Sequence, residues 1–568
     1  MRTKSNLSAP RRKGSALAWI TLGAVLLVPA VRADSPSPHS SEGGLLYFVN
    51  TTSDTVVVGA CQNGSAGCSL RGAIQAANGH PGADGIEIDL PAGSTINLTQ
   101  ALPAITESVA ITGPGADKLT VRRSTGGDYG IFHVTTSGTV SFSGITISNG
   151  RVSGFSTGGG ISNENGIVTI SSCAVIGNHA QVAGGGISNT ATLNIRESTV
   201  SGNLNGGVAN GTNGSMNITN CTISGNATGT RGGGVYNFSN IVNITNSTIS
   251  GNFATDNATA GVAGGISNEN GATVNIKSSI VAGNFNGAAP DVSGTFVSAG
   301  FNLIGSVDGG SGFTAATDQT GTIASPLDPK FDPDGLGHNG GPTRTVTLLP
   351  GSPALDKGTS NGLTGNLTTD QRGTGFPRIF DDPAIPNATG GNGADIGAFE
   401  LIPPMGISRK LHGSVNFDIN LPLTGTVGVE CRTGGVNGDH QVIVIFPIPV
   451  TVSGVSVTSG TGNVSDFNVS GSQVTVDLTG VANAQTVVLT ISGVSNGSSM
   501  GNVSIPMGVL LGDTNGNGGV NASDVSQTKA RSGQPVDATN FRSDVSVNGT
   551  INASDVSLVK LRSGTALP

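Results

Sequence analysis

Apolar and polar residues alternate in short runs through most of the chain, and glycine and asparagine separate these runs. Within 232–252 the runs are "GVYN", "VNI" and "STISGN". Alternation with a period of two predicts short β-strands that bury one face. We therefore expect Val242, Ile244 and Ile249 to point into a core.

A unit of three such runs recurs along the middle of the chain, and each copy ends in an asparagine. Three strands per unit, joined by Gly/Asn turns, predict coils of a parallel β-helix stacked about 4.8 Å apart. The repeated asparagines are then expected to form ladders in which each side-chain amide bonds to the next coil. The copies and their last residues are 158–178 (Asn178), 184–203 (Asn203), 206–226 (Asn226), 232–252 (Asn252) and 263–284 (Asn284).

The signatures "GG[IV]xN" and "[ST]xIxGN" carry a family resemblance. They resemble the pectin lyase-like, right-handed parallel β-helix superfamily, and within it the polymorphic outer-membrane-protein-like repeats. "CSLRGAIQAAN" at 68–78 resembles a motif that opens many such exported proteins. Its apolar positions predict a short helix that caps the first coil and covers an otherwise open sheet edge.

The segment after the coils resembles the closing part of exported choice-of-anchor proteins. The matching stretches are "GGPTRTVTLLPGSPALDKG" (340–358), "TDQRG" (369–373) and "DIGAFE" (395–400). Their charges predict an acid–arginine network that ties the last coils together, with a sugar-acid or metal site as the alternative. The charged residues are Asp356, Asp370, Arg372, Asp395 and Glu400.

The cysteines divide into two groups. Cys61 and Cys68 are close in sequence and could form a disulfide in an oxidising compartment. Cys173 and Cys221 hold the same repeat position, with Ser198 in the coil between them. Two coil steps place them about 9.6 Å apart, too far for a disulfide. We expect both to be free and buried.

A second domain is predicted over 405–507, where strand-length alternation continues with turns every 8–12 residues. This spacing predicts an immunoglobulin-like β-sandwich. Phe417, Phe446 and Phe467 are expected to fill its core, which leaves no aromatic platform for sugar. A spacer is therefore favoured over a carbohydrate-binding module.

Two twelve-residue stretches near the end place oxygen-bearing residues at alternate positions: "DTNGNGGVNASD" (513–524) and "DVSVNGTINASD" (544–555). This is the Ca²⁺ loop pattern of an EF-hand, with Gly at position 6 for the sharp turn and Asp rather than Glu at position 12. The predicted ligands are Asp513, Asn515, Asn517, Gly519 and Asp524 in loop 1, and Asp544, Ser546, Asn548, Thr550 and Asp555 in loop 2.

Each loop is followed by a predicted short helix, "NASDVSQTKARSG" or "NASDVSLVKLRSG". This duplication resembles a dockerin type I domain. The resemblance implies two bound calcium ions and calcium-dependent docking to a cohesin-like domain, and the identical Ala-Ser pairs make two rotated binding modes conceivable. The implied partner-binding residues are Ala522, Ser523, Lys529 and Arg531 in the first half, and Ala553, Ser554, Lys560 and Arg562 in the second.

The first residues bear on export of the protein, and the overall charge bears on its partners. Residues 1–33 combine a basic start, the apolar run "ALAWITLGAVLLV" and "VRA" before Asp34, which predicts a secretory signal, with a membrane anchor as the alternative. Charged residues make up only 11% of the chain and its net charge is -8. Without a basic patch, nucleic acid is not an expected partner.

Catalysis on the coils would need two carboxylates about 5–9.5 Å apart for glycoside hydrolysis. Glu164 and Glu269 occupy matching repeat positions, but four coils, or about 19 Å, separate them. No catalytic constellation is visible between 140 and 284. Outside that range the candidates are His133 with Asp128, and His338 with Asp332 and Asp334.

The predicted organisation is a signal peptide (1–33), a β-helix with its cap and closing segment (34–404), a sandwich (405–507) and a dockerin (508–568). We interpret the chain as an exported, non-catalytic β-helix scaffold or adhesin, secreted or held at a cell surface, that docks through calcium-dependent contacts. Two alternatives stay open: a dockerin-borne polysaccharide hydrolase or lyase, and an adhesin that binds glycans along the coil.

Overall fold

A computed structural model describes residues 43–61, 67–154, 156–256, 261–495 and 500–568. The predicted signal segment, 1–33, lies outside the described residues. The described chain is mainly β, with long parallel sheets followed by antiparallel sheets and two short C-terminal helices. No helix in these ranges is long and apolar enough to cross a membrane.

The strands between 46 and 320 form the predicted parallel β-helix, with three parallel sheets as its sides. Sheet 1 contains Leu46–Val49, Asp84–Ile88, Val109–Thr112, Thr139–Ser143, Ile167–Ser171, Thr192–Arg196, Ser215–Thr219, Ile241–Thr245, Thr273–Lys277 and part of Val292–Ser298. Sheet 2 contains Ser94–Leu98, Leu119–Arg123, Thr146–Ser148, Ala174–Ile176, Thr199–Ser201, Thr222–Ser224, Thr248–Ser250, Ile280–Val281, Leu303–Ile304 and Gln319–Thr320. Sheet 3 contains Phe132–Val134, Ile161–Asn163, Ile187–Asn189, Val208–Asn210, Val235–Asn237, Ile266–Asn268 and the start of Val292–Ser298.

Shorter strands complete the coils. Four of them pair in parallel at one corner: Arg151–Val152 with His179–Ala180, and Ala227–Thr228 with Phe253–Ala254. The remaining ones are Gly310–Ser311, which pairs with Val292–Ser298, and the antiparallel pair Phe331–Gly337 and Thr345–Leu348.

The interior of the coils is apolar, with asparagine at its corners. Val242, Ile244 and Ile249 are fully buried, as the alternation predicts. The predicted ladder runs from Asn178 to Asn284, each side-chain amide donating to the next asparagine at 2.8–3.1 Å. A second buried ladder runs through Asn163, Asn189, Asn210, Asn237 and Asn268 at 2.8–3.0 Å.

The first coil is covered by helix α1 (Leu70–Asn78). Ser69 caps it by accepting a hydrogen bond from the Gly72 amide. Leu70, Ile74 and Ala77 are buried in the same core as the coils, which confirms the predicted capping helix. The sulfur atoms of Cys61 and Cys68 lie 2.05 Å apart, the length of a disulfide bond, whereas Cys173, Cys221 and Cys431 are free and buried.

The closing segment lies along sheet 2 and ties successive coils together. Gln371 bonds to the hydroxyls of Thr199 and Thr222, which belong to neighbouring coils. The hydroxyl of Thr248, one coil further, accepts from the Ala398 amide. These contacts join chain positions 149–172 residues apart.

Residues 405–495 and 500–509 form two packed sheets, as expected for a β-sandwich. The five-stranded sheet contains, in spatial order, Val415–Leu421, Met405–His412, His440–Ile445, Gln473–Thr479 and Asn463–Ser470. The four-stranded sheet contains Gly428–Glu430, Met500–Val509, Gln485–Ser495 and Gly454–Ser459. All neighbours are antiparallel except the first pair of the second sheet.

The expectation that three phenylalanines fill this core is wrong for two of them. Phe446 is 6% exposed and belongs to the core. Phe467 is 38% exposed, because it faces outward from the edge strand of the five-stranded sheet. The ring of Phe417 stacks on Phe541 of the C-terminal module instead of entering the sandwich core.

Candidate calcium-binding and docking module

Loop 1 (513–524) winds around the carboxylate of Asp513. Its Oδ1 accepts from the amides of Gly516 (2.9 Å) and Asn517 (3.1 Å), and its Oδ2 accepts from Gly518 (2.8 Å). The side-chain oxygens of Asn515 and Asn517 accept from amides two residues further on, at 3.0 Å each. These bonds hold the oxygen-bearing side chains against their own loop in a tight turn.

Loop 2 (544–555) repeats the arrangement with small differences. Asp544 accepts from the amides of Asn548 (3.2 Å) and Gly549 (2.8 Å). The hydroxyl of Ser546 donates to Asp555 at 2.8 Å. Gly518 and Gly549, at position 6 of their loops, have φ near +85°. That conformation is strained for residues with a Cβ atom, so position 6 requires glycine.

Position 12 of each loop also begins the helix that follows. Helix α2 spans Ala522–Arg531 and helix α3 spans Ala553–Arg562, with a 3₁₀ turn at Phe541–Ser543 between them. Asp524 accepts from the amides of Asn521 (2.9 Å) and Asn515 (3.2 Å), and so joins the helix cap to the start of the loop. Asp555 does the same in loop 2.

The donor chemistry of both loops fits calcium. The side chains of Asp513, Asp524, Asp544 and Asp555 are fully buried, and among the described residues no lysine or arginine pairs with them. Burial raises the pKa of Asp513 and the nearby charge of Asp524 adds to the effect, although amide bonds oppose it. Buried carboxylates need a compensating charge, and a divalent cation that prefers oxygen ligands would supply it.

Each loop offers only two carboxylates, so amide, hydroxyl and carbonyl oxygens would complete each coordination shell. Consistent with this, the described part of the chain contains no cluster of three or more His, Cys, Asp or Glu side chains placed to hold a metal. Fewer acidic ligands lower the affinity of a calcium loop. We therefore expect moderate affinity.

The loops and helices lie crosswise. Gly519 of loop 1 bridges to Ala566 after α3, and Thr550 of loop 2 bridges to Pro535 after α2. The first loop therefore closes against the second half, and the second loop against the first. This exchange gives the module an approximate two-fold arrangement in which both helices are supported in the same way.

Residues 511–562 match the family model of the dockerin type I domain. This segment is a dockerin type I domain. Domains of this family bind calcium and dock to cohesin, so the match implies a calcium-dependent cohesin partner. No curated protein matches the chain.

The predicted partner-binding residues of the dockerin differ in accessibility. Both Ala-Ser pairs, 522–523 and 553–554, are exposed at the starts of their helices, and Lys529 and Lys560 are exposed in the last turns. Arg531 and Arg562 are half-buried. Arg531 donates to the Ser543 hydroxyl within the domain, which makes these two arginines less available to a partner than the sequence suggests.

The catalytic candidates outside 140–284 contact other residues. His133 Nε2 lies 2.7 Å from Glu164 on the next coil, while Asp128 pairs with Arg151 at 3.3 Å. His133 and Asp128, the first candidate pair, therefore bond to other residues in this structure. Further along, Arg344 donates to His338 Nε2, and burial together with that arginine lowers the pKa of His338.

The four acidic residues of the predicted network, Asp356, Asp370, Asp395 and Glu400, are buried and accept hydrogen bonds from main-chain amides. Arg372 pairs with Asp370, and Arg378 with Glu400, at 2.6 Å each and away from solvent. Asp395 accepts from the amides of Asp356 and Leu401. A sugar chain would not reach carboxylates enclosed in this way. The arrangement therefore favours the predicted network over a sugar-acid site.

A cluster of a buried tyrosine and two half-buried charged residues, Tyr236, Arg231 and Glu269, was not anticipated from the sequence. Tyr236 donates to Glu269 at 2.9 Å, and the Arg231 guanidinium lies 4.8 Å from the centre of the tyrosine ring. The register Asn237↔Asn268 brings these residues together from adjacent coils. The sequence could have predicted this contact. Tyr236 precedes Asn237 in "GVYN" and Glu269 follows Asn268 in "ISNEN", so pairing of the two asparagines brings Tyr236 and Glu269 close together.

Proposed function

We propose that this is an exported protein whose dockerin attaches a rigid β-helix to a cohesin-bearing partner, with one calcium ion in each loop. The observation that carries this proposal is the pair of loops in which buried carboxylates begin the helices that expose the Ala-Ser pairs. Calcium would neutralise the carboxylates and thereby hold the helices in the orientation that a cohesin recognises.

Docking in two rotated orientations is part of the proposal. The exposed pairs Ala522-Ser523 and Ala553-Ser554 are identical and both lie at the starts of capped helices. Because the rest of the chain leaves both pairs exposed, a cohesin would reach either helix.

For the β-helix we propose a non-catalytic role as a displayed scaffold or adhesin. Support comes from the distribution of charge: the acidic groups of the closing segment bond to backbone amides and buried arginines. On the coils, Glu164 and Glu269 each bond within their own pair of coils. This arrangement supports rigidity and display.

Docking is tested with the full-length chain and a panel of type I cohesin domains, by calorimetry in calcium and in EDTA. Asp524→Ala combined with Asp555→Ala removes the position 12 carboxylate of both loops, and binding is expected to be lost. Asp537→Ala removes an exposed carboxylate of the same domain and should bind like the unaltered chain. Equal binding in EDTA, or binding that survives the double substitution, would contradict the proposal.

The role of the coil is tested by incubating the full-length chain with acidic and neutral polysaccharides. We expect no new reducing or unsaturated ends. Sugar release that a single acidic substitution abolishes would instead establish a polysaccharide-degrading enzyme, and the position of that substitution would locate its site.

A further inference from the structure

The sandwich and the dockerin share a continuous hydrogen-bonded boundary. The carbonyl of Cys431 accepts from the Gly512 amide, and the carbonyl of Val545 accepts from the Thr433 amide, both at 2.9 Å. Phe417 of the sandwich stacks on Phe541 of the dockerin, with ring centres 5.2 Å apart and planes 5° from parallel. These contacts reach the start of both calcium loops.

One histidine of the sandwich touches a predicted calcium ligand. His412 ends the strand Met405–His412, and its Nδ1 lies 2.9 Å from Oδ2 of Asp544, which occupies position 1 of loop 2. Both side chains are fully buried. The imidazole also packs edge-on against Phe417 and Phe541, which fixes the plane of the ring.

The direction of this hydrogen bond follows from the other ring nitrogen. Nη1 of Arg432 lies 3.2 Å from Nε2 of His412. A guanidinium has donors only, so Nε2 must accept and the proton resides on Nδ1. His412 therefore donates to Asp544.

Arg432 is itself held rigidly by the sandwich. It forms two bonds of 2.7–2.8 Å with Glu430 and donates to the carbonyls of Phe417 (2.7 Å) and Ser408 (2.9 Å). A buried series of hydrogen bonds thus runs from Glu430 through Arg432 and His412 to the carboxylate of Asp544. Glu430, Arg432 and His412 all belong to the sandwich.

Comparison of the two loops shows what His412 replaces. In loop 1 the Gly516 amide donates to Asp513 Oδ1 at 2.9 Å. The corresponding amide in loop 2, that of Val547, donates to the main-chain oxygen of Asp544 at 3.2 Å. Loop 1 therefore supplies three amides to its position 1 carboxylate. Loop 2 supplies only the amides of Asn548 and Gly549, together with a long 3.4 Å contact from the Ser546 hydroxyl, which bonds more closely to Asp555. His412 adds a donor at 2.9 Å from outside the loop.

We propose that the sandwich completes the second calcium site: His412 is a positioning residue that orients Asp544 toward the ion, and calcium in loop 2 in turn fastens the dockerin to the sandwich. Groups that hydrogen-bond to a metal ligand typically change metal affinity about 10–100-fold when removed. This inference rests on the proposed binding of calcium by loop 2.

The affinity of each loop is measured in the full-length chain by calorimetric calcium titration. Asp524→Ala isolates loop 2, and Asp555→Ala isolates loop 1. Adding His412→Ala is expected to weaken loop 2 at least about tenfold and to leave loop 1 within about twofold. His412→Asn keeps a donor near the position of Nδ1 and should restore most of the loss. Arg409→Ala, on the same strand in a half-exposed ion pair with Asp418, is the matched control.

Equal weakening of both loops would indicate general loss of folding, and unchanged loop 2 affinity would show that His412 does not act on the site. Either result overturns the inference. Absence of calcium binding by both single-loop variants would refute the calcium premise itself, and the inference with it.

Hydrogen exchange measures whether calcium in loop 2 holds the dockerin to the sandwich. Calcium should slow amide exchange in 405–421 and 428–433 of the unaltered chain, and His412→Ala should abolish that slowing while loop 1 still responds to calcium. Slowing that persists unchanged in His412→Ala would contradict the proposed coupling.

Discussion

The side-chain amide of Asn226 donates a 2.9 Å hydrogen bond to the side-chain oxygen of Asn252, one coil further along the β-helix. The oxygen of Asn226 in turn accepts from Asn203 at 2.8 Å, and its amide also reaches the carbonyl of Val200. All three asparagines are fully buried. Each asparagine of the ladder therefore hydrogen-bonds to the asparagines of the coils before and after it.

Asn226→Ala is expected to destabilise the β-helix by about 2–4 kcal/mol, because it removes the oxygen that accepts from both the main-chain and the side-chain amide of buried Asn203, and one of the two donors to Asn252. The measurement is urea unfolding of the full-length chain, with hydrogen exchange to assign the transition to the coils. Asn217→Ala is the matched control. Asn217 belongs to an outer, half-buried row and bonds to Asn194 and Asn243 at 2.8 Å, where water can replace the lost partner, so less than about 1 kcal/mol is expected. Equal effects of the two substitutions would contradict the assigned role.

The coils and their ladders were predictable because every repeat carries the same local pattern. Parallel pairing without slippage places equivalent residues in line, so a repeated asparagine must form a row. The outer row of Asn194, Asn217, Asn243 and Asn275 follows the same logic. It was not predicted, because its members sit between the inward apolar positions and resemble ordinary solvent-facing residues.

The different burial of Phe446 and Phe467 in the sandwich predicts different losses of stability when either ring is removed. Phe446→Ala should cost about 3–5 kcal/mol, since it empties a packed core position. Phe467→Ala removes a ring that is already 38% exposed and should change stability by less than about 1 kcal/mol. Calorimetric melting of the full-length chain measures both. A larger loss for Phe467→Ala than for Phe446→Ala would show that the edge strand is covered in solution.

The boundary between sandwich and dockerin was outside the reach of sequence patterns. Alternation tells which face of a strand is apolar, but not which outward residues a neighbouring module will cover. His412 and Phe417 resemble ordinary outward residues of their strands, and Arg432 follows the end of the strand Gly428–Glu430. The calcium loops were predictable because their ligands are spaced within twelve residues, whereas His412 reaches Asp544 from 132 positions away.

Removal of calcium should loosen the dockerin selectively. The four buried loop carboxylates lie in pairs, so without a cation the like charges repel each other and the helix starts lose their anchor. Exchange with EDTA present is expected to accelerate in 511–562 and to stay unchanged in the coils at 161–284. Hydrogen exchange with mass spectrometry reads both segments in one sample. Unchanged exchange in 511–562 would indicate that the loops are stable without metal.

The closing segment should make the β-helix sensitive to pH through Asp356. Burial and the nearby charge of Asp395 raise the pKa of Asp356 to about 7. An unfolded aspartate titrates near 3.9, so between these values the folded state holds a proton that the unfolded state has lost. The contribution of this group is fully present below pH 4 and is lost as the pH rises through 7. Stability should therefore fall from pH 5 to pH 8.

Asp356→Asn tests this directly, because asparagine keeps the oxygen that accepts from the Asp382 amide and carries no charge. We expect the variant to match the unaltered chain at pH 5 and to exceed it at pH 8 by on the order of 2–3 kcal/mol, measured by urea unfolding of the full-length chain. Asp334→Asn, at an exposed site in the preceding hairpin, should leave the pH profile unaltered. If Asp356→Asn instead lowers stability at pH 8, the carboxylate is charged and stabilising there, and the raised pKa is wrong.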